Sequence, residues 1–285
     1  MQLTDRPLGS HTPTAGGIAK TALPYIDAAG SGATQVYVSN SRGWALPPGD
    51  PAQDALFREG CAERDIPVYV HSSLLVNLGS PTAGTVERST ATLAHSLTRG
   101  TSIGARAVVF HAGSAVDPAH YDAALKQVRE ALLPLLDRDD APLLLVEPSA
   151  GGGRSLASKV EHLAAYFDAV DWHPRLGVCF DTCHAWAAGH DLATPGGMTA
   201  TLDLLTATVG AGRLKLVHAN DSKDTCGSLR DRHETIGQGT IGTAAFAELL
   251  RHPSTAGLPV IVETPSGKAH EGHAADIATL RALLA

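Results

Sequence analysis

The chain has 285 residues, of which 44% are hydrophobic and 18% charged, with a formal net charge of −7 at pH 7. This length supports one large core, and a (β/α)8 barrel of about 250 residues fits it closely. No run nears the roughly 20 apolar residues that cross a bilayer, and the acidic balance argues against a broadly basic, nucleic-acid-coating surface.

The N-terminal segment Met1 to Pro7 lacks a basic stretch followed by an apolar core, so no secretory leader is expected and the expectation is a cytoplasmic enzyme. Cys61, Cys179, Cys183 and Cys226 form neither a disulfide framework nor a Cys-x-x-Cys pair. Cys179 reads as a buried core thiol, and Cys183, set among polar residues, as a minor candidate for a metal role.

In chain order, short apolar runs recur, each ending on a polar or charged residue. The first four are Leu8 to His11, Gln35 to Asn40, Val68 to His71 and Ala107 to His111. The next four are Leu143 to Glu147, Leu176 to Asp181, Leu214 to His218 and Val260 to Glu263. Continuous rather than alternating apolar runs suit parallel strands buried on both faces. Helical spacing lies between them, most clearly over Ala123 to Leu136, Lys159 to Ala169 and Thr243 to Leu250. Gly151-Gly152-Gly153 marks a sharp bend after the fifth run, and the Pro/Gly-rich stretches 44–51 and 80–84 read as elaborated loops. Eight strand–helix repeats without an intervening linker predict an α/β fold, a (β/α)8 TIM barrel forming a single domain over residues 1–285. No G-x-G-x-x-G follows the first strand and no G-x-x-x-x-G-K-[ST] occurs, so neither a dinucleotide fold nor a P-loop is indicated.

In a barrel the C-terminal strand ends converge on the face where active sites form. Here they offer His71, His111, Glu147, Asp181, His218 and Glu263, with His184, Asp231 and His233 in the loops just beyond. A lone His or Glu at a strand end is ordinarily a cap or a solvated side chain. Several crowded together carry a large desolvation and repulsion cost unless a cation lies between them. The remaining histidines (His95, His120, His162, His173, His190, His252, His270, His273) fall in helices or turns and read as structural. Nine ligands exceed the needs of one ion, and two or three ions are the usual equipment for phosphoester hydrolysis. Three divalent ions would bring the net charge to about −1 and concentrate positive charge where a phosphate would sit.

Five segments carry a family resemblance. Cys179-Phe-Asp-Thr-Cys-His-Ala-Trp-Ala-Ala-Gly189, His218-Ala-Asn-Asp-Ser-Lys223, Gly227-Ser-Leu-Arg-Asp-Arg-His233, Ile236-Gly-Gln-Gly239 and His71-Ser-Ser-Leu-Leu-Val-Asn-Leu-Gly79 together resemble the signatures of the endonuclease IV family. The resemblance runs from His11 to Glu263. It implies cleavage of DNA 5′ to an abasic site, in base excision repair, leaving a 3′-hydroxyl and a 5′-deoxyribose phosphate. It also implies three zinc ions, with manganese or iron as an alternative at one position. One would be held by His71, His111 and Glu147, a second by Glu147, Asp181, His218 and Glu263, and a third by His184, Asp231 and His233. By the same resemblance Glu147, His11 and Glu263 are catalytic, His11 lying near the phosphate without binding metal. Arg42, Leu74, Leu75, Asn220, Lys223 and Arg232 would contact DNA, the partner being abasic duplex and the enzyme a monomer with no membrane or obligate protein partner. The chain departs from the family at Leu74, where an aromatic is expected, at Ser39-Asn40-Ser41 and Gly43 around Arg42, and at Pro148, where asparagine is common. Two rival readings are a xylose isomerase-like sugar isomerase or epimerase, which needs only one or two metals, and a non-catalytic binder of damaged DNA.

Overall fold

The computed structural model describes residues 6–284, so the N-terminal reading over residues 1–5 lies outside the described residues. Eight parallel strands form the barrel: β1 (Leu8–His11), β2 (Thr34–Tyr37), β3 (Val68–His71), β4 (Ala105–His111), β5 (Leu143–Glu147), β6 (Leu176–Asp181), β7 (Leu214–His218) and β10 (Val260–Val262). They close in the order β1-β10-β7-β6-β5-β4-β3-β2. The small antiparallel pair β8 (Asp221–Ser222) and β9 (His233–Glu234) lies outside the barrel sheet.

Around the sheet run α1 (Ile18–Ala29), α2 (Pro51–Glu63), α3 (Ala83–Ser102), α4 (Tyr121–Leu136), α5 (Leu163–Ala169), α7 (Gly197–Val209), α8 (Thr243–Arg251) and α9 (Glu271–Ala282). The short α6 (Thr182–Ala187) follows β6 directly. Ala33, Tyr69, Ala107, Val109, Leu145, Cys179, Leu216 and Ile261 pack together as one buried cluster, distinct from the larger core that the strands share with the helices. This explains the continuous apolar runs, since both strand faces are buried. Cys179 belongs to the smaller cluster, and burial pushes its thiol up to about 12. β1 and β2 approach so closely at Gly9 that a Cβ there would lie 1.8 Å from the Ala33 carbonyl oxygen, so only glycine lets the two backbones close.

Three strands differ in their bounds from the sequence expectation. β10 stops at Val262, one residue short of Glu263, and β2 begins at Thr34 rather than Gln35. β2 stops at Tyr37 rather than Asn40, because Asn40 turns the chain instead. Its Oδ1 accepts from Arg42 N at 2.9 Å and its carbonyl from Gly43 N at 3.2 Å. β4 begins two residues early, at Ala105. The expected helix over Lys159 to Ala169 opens as a 3-10 turn (Val160–His162) before α5. Gly151, Gly152, Gly153 and Arg154 all have positive φ (99°, 87°, 53° and 68°), the sharp bend anticipated after β5. No helix of the described residues is long and apolar enough to cross a membrane.

Candidate metal centre

Seven of the eight barrel strands deliver a histidine or carboxylate to one mouth of the barrel, and β2 ends there on Tyr37. β1 ends on His11, β3 on His71, β4 on His111, β5 on Glu147, β6 on Asp181 and β7 on His218, and Glu263 follows β10 directly. At the centre is Glu147, fully buried. Its Oε2 lies 3.3 Å from His71 Nε2 and 3.7 Å from His111 Nε2, while its Oε1 lies 3.2 Å from His218 Nδ1. Oε1 also lies 3.2 Å from His184 Nδ1, so Oε2 faces His71 and His111 while Oε1 faces His218 and His184. His71, His111 and Glu147 have donor atoms within 4.8 Å of one another, as do Glu147, Asp181, His218 and Glu263.

Local structure explains the Asp-x-x-His spacing of the next pair. Asp181 is the N-cap of α6, its Oδ1 accepting from His184 N at 2.9 Å, which sets His184 on the first helical turn facing the cluster. The other oxygen, Oδ2, accepts from Asn220 Nδ2 at 2.7 Å. Asp231 Oδ2 then lies 3.2 Å from His184 Nε2, and its Oδ1 lies 2.9 Å from His233 Nε2. Asp181, His184 and His233 also form a donor group within 4.8 Å. All nine residues singled out as ligands therefore meet at one end of the barrel. Cys183 lies within the same reach of Asp231 and His233. Burial pushes its thiol up to about 12, so it is a weaker ligand than the carboxylate and imidazole beside it.

The charges are strongly interdependent. Burial would raise the Glu147 carboxyl, but the imidazoles of His218, His184 and His71 outweigh that and hold it well below the usual carboxylate range. Burial lowers His111 to about 4, despite the pull of Glu147. At Asp181 burial prevails over His184 and His233, and the carboxyl is raised. Four carboxylates and five imidazoles are thus concentrated at one mouth of the barrel, Asp231 being the exposed member of the set. Such a donor set fits divalent cations of the zinc, manganese or iron type.

A cleft of about 400 Å³ opens over the cluster, lined by His11, Tyr37, Arg42, Leu74 and the outer histidines together with Thr264, Ser266 and His273. Arg42 and Lys223 are exposed, and Leu74 and Leu75 are 39% and 37% exposed, so all four are accessible to a large ligand. Arg232 is exposed but engaged, its Nε donating to Asp224 Oδ2 at 2.6 Å. Asn220 departs from expectation. It is fully buried, donating to Asp181 and accepting from Glu263 N at 2.7 Å, so its amide is spent within the protein and does not reach a duplex. Sequence reasoning also missed His273, read as structural but lining the cleft, and Gln35 and Tyr37 in β2. A buried glutamine within an apolar strand was the available signal for Gln35.

The xylose isomerase-like TIM barrel family matches residues 24–283. A Streptomyces coelicolor protein named "Probable endonuclease 4" is 55% identical over 284 residues, covering 99% of this chain and 96% of the relative. The solved structure of endonuclease IV from Thermus thermophilus has a TM-score of 0.85 at 34% identity, with 98% of each chain covered. A D-tagatose 3-epimerase-like protein has a TM-score of 0.75 at 17% identity, covering 98% of this chain and 97% of its own, a likeness of fold alone. On this sequence identity, carried across the whole barrel with its ring of strand-end ligands, the chain belongs to the endonuclease IV family of xylose isomerase-like TIM barrels.

Proposed function

We propose that the chain is a DNA-cleaving hydrolase that incises duplex DNA at the phosphodiester 5′ to an abasic site, leaving a 3′-hydroxyl and a 5′-deoxyribose phosphate. In this reading it acts in the cytoplasm as a single-domain monomer in base excision repair. The observation that carries it is the division of Glu147 between two donor groups, Oε2 toward His71 and His111 and Oε1 toward His218. A carboxylate whose two oxygens face different donor groups could serve two cations at once, which suits a multi-metal phosphoester site.

Zinc suits the donors best, held in the three sets His71–His111–Glu147, Glu147–Asp181–His218–Glu263 and His184–Asp231–His233. When bound, such ions supply Lewis acidity toward the phosphate and bring the pKa of water toward neutrality. The chain's own residues do the remaining work. His11 lines the cleft, and its Nε2 is buried with no partner among the described residues, leaving it free for a phosphate oxygen. Burial lowers the His11 pKa, an effect only partly offset by Glu263, whose Oε1 lies 3.1 Å from the ring's Nδ1. Glu263 Oε1 takes a hydrogen bond from Gln35 at 2.7 Å, which holds that carboxylate in place. At the lip, exposed Arg42 answers the phosphate backbone, and Leu74 with Leu75 offers an apolar edge against an unstacked base step.

Glu147→Gln tests the reading. The variant should fold with an unchanged circular dichroism spectrum and lose incision of an abasic duplex by more than about 100-fold, the upper end of losses seen when groups around a metal's ligands are changed. Near-normal incision would refute the role given to Glu147.

A further inference from the structure

Three histidines of the cluster are held from behind by backbone carbonyls. His71 Nδ1–H donates to Ser72 O at 2.7 Å, His184 Nδ1–H to Pro148 O at 3.1 Å and His233 Nδ1–H to Glu263 O at 3.1 Å. A carbonyl oxygen only accepts, so each proton sits on Nδ1 and the Nε2 lone pair faces the cluster. His218 is turned the other way. Its Nδ1 lies 3.2 Å from Glu147 Oε1, 3.3 Å from Glu263 Oε2 and 3.8 Å from Asp181 Oδ2. Its Nε2 meets a side chain rather than backbone, Gln35 Oε1 at 2.9 Å.

Gln35 lies in β2 and is fully buried. The other end of its amide is 2.7 Å from Glu263 Oε1 and 3.0 Å from His11 Nδ1. A carboxylate oxygen only accepts, so the end beside Glu263 must be the NH2 and the end beside His218 must be the carbonyl. The carbonyl in turn requires the proton of neutral His218 to be on Nε2, which leaves the Nδ1 lone pair among three carboxylates. A glutamate at this place would set another carboxylate against Glu263. An apolar residue would leave the outer nitrogen of His218 buried and unpaired.

We infer that Gln35 is a positioning residue that fixes the tautomer of His218 and the orientation of Glu263 toward the cation they share. The inference rests on the metal reading above but not on abasic specificity. It concerns ligand orientation, a role that typically governs metal affinity by about 10- to 100-fold.

The test uses the zinc-loaded protein without DNA. In wild type, ¹⁵N–¹H correlation of the imidazoles should show His218 protonated on Nε2 and coordinated through Nδ1. The opposite tautomer would overturn the inference with no variant needed. Gln35→Met, close in length but without either polar end, should keep the wild-type melting profile to within a few degrees. It should lose the His218 Nε2–H resonance and weaken one bound zinc about 10- to 100-fold in competition with a chelator. With abasic duplex as substrate, kcat should fall while KM stays within twofold. Zinc affinity within twofold of wild type and an unchanged His218 resonance would overturn it. Zinc and imidazole readouts need no DNA, so absence of abasic incision would count against the proposed function and leave this result standing.

Discussion

Asp181 serves two groups at once, capping α6 with one oxygen and taking the Asn220 amide with the other. Sequence patterning makes Asp181 and His184 visible as ligand types, because acids and imidazoles at strand ends are costly to bury without a cation. Asn220 shows where such reading stops. An amide beside a ligand histidine looks like a substrate contact until its burial and its two bonds to the ligand scaffold are known. Asn220→Ala should therefore lower kcat about tenfold through loosened ligands and leave KM for abasic duplex unchanged; a raised KM with unchanged kcat would return Asn220 to the DNA side. Arg42 is the converse case, exposed on the lip of the cleft. Replacing it with alanine should weaken binding of abasic duplex, reduce the slope of log affinity against log salt by about one, and spare turnover at saturating DNA. Unchanged affinity would mean that the duplex is held by other residues. Gln35 was hidden for a similar reason. Its value lies in contacts with His218, Glu263 and His11, residues 183, 228 and 24 positions away, which only the closed barrel brings together.

At the scale of elements, the eight strands were readable almost to the residue, because both-face burial demands continuous apolar runs and the site demands a polar end on each. β2 was overextended, since Val38 and Ser39 look like strand while the Asn40 turn that ends it depends on side-chain capping. The β8–β9 pair was not foreseen at all, being two residues long on each side. It matters to the centre, because Ser222 pairs with His233 and so sets the third donor group. Asp221 holds this region together. Its buried carboxylate accepts from the backbone N–H of Ser222 and Ile241 through Oδ1, and from Gly237, Gly239 and Gly242 through Oδ2. Asp221→Asn turns one acceptor into a donor facing backbone donors, and should cost about 3 kcal/mol in a denaturant titration. It should also weaken the zinc held near His233. A loss below about 0.5 kcal/mol, the ordinary level of a surface change, would show that the loop is held by its backbone alone.

For the whole molecule, a net charge of −7 and a DNA substrate look opposed. The fold resolves this by collecting Glu147, Asp181 and Glu263 at one mouth of the barrel, where bound cations would reverse the local sign beneath the exposed Arg42. Length and repeat count made the barrel legible, and the strand-end ligands made its chemistry legible. What the sequence left open was the number and identity of the ions, since the same barrel serves an epimerase-like protein at 17% identity. Metal content of the purified protein, measured beside cleavage of a duplex bearing one abasic site, addresses this most directly. About three zinc ions per chain are expected, with incision 5′ to the lesion that disappears on prolonged chelation. One or two ions per chain with no incision would contradict this.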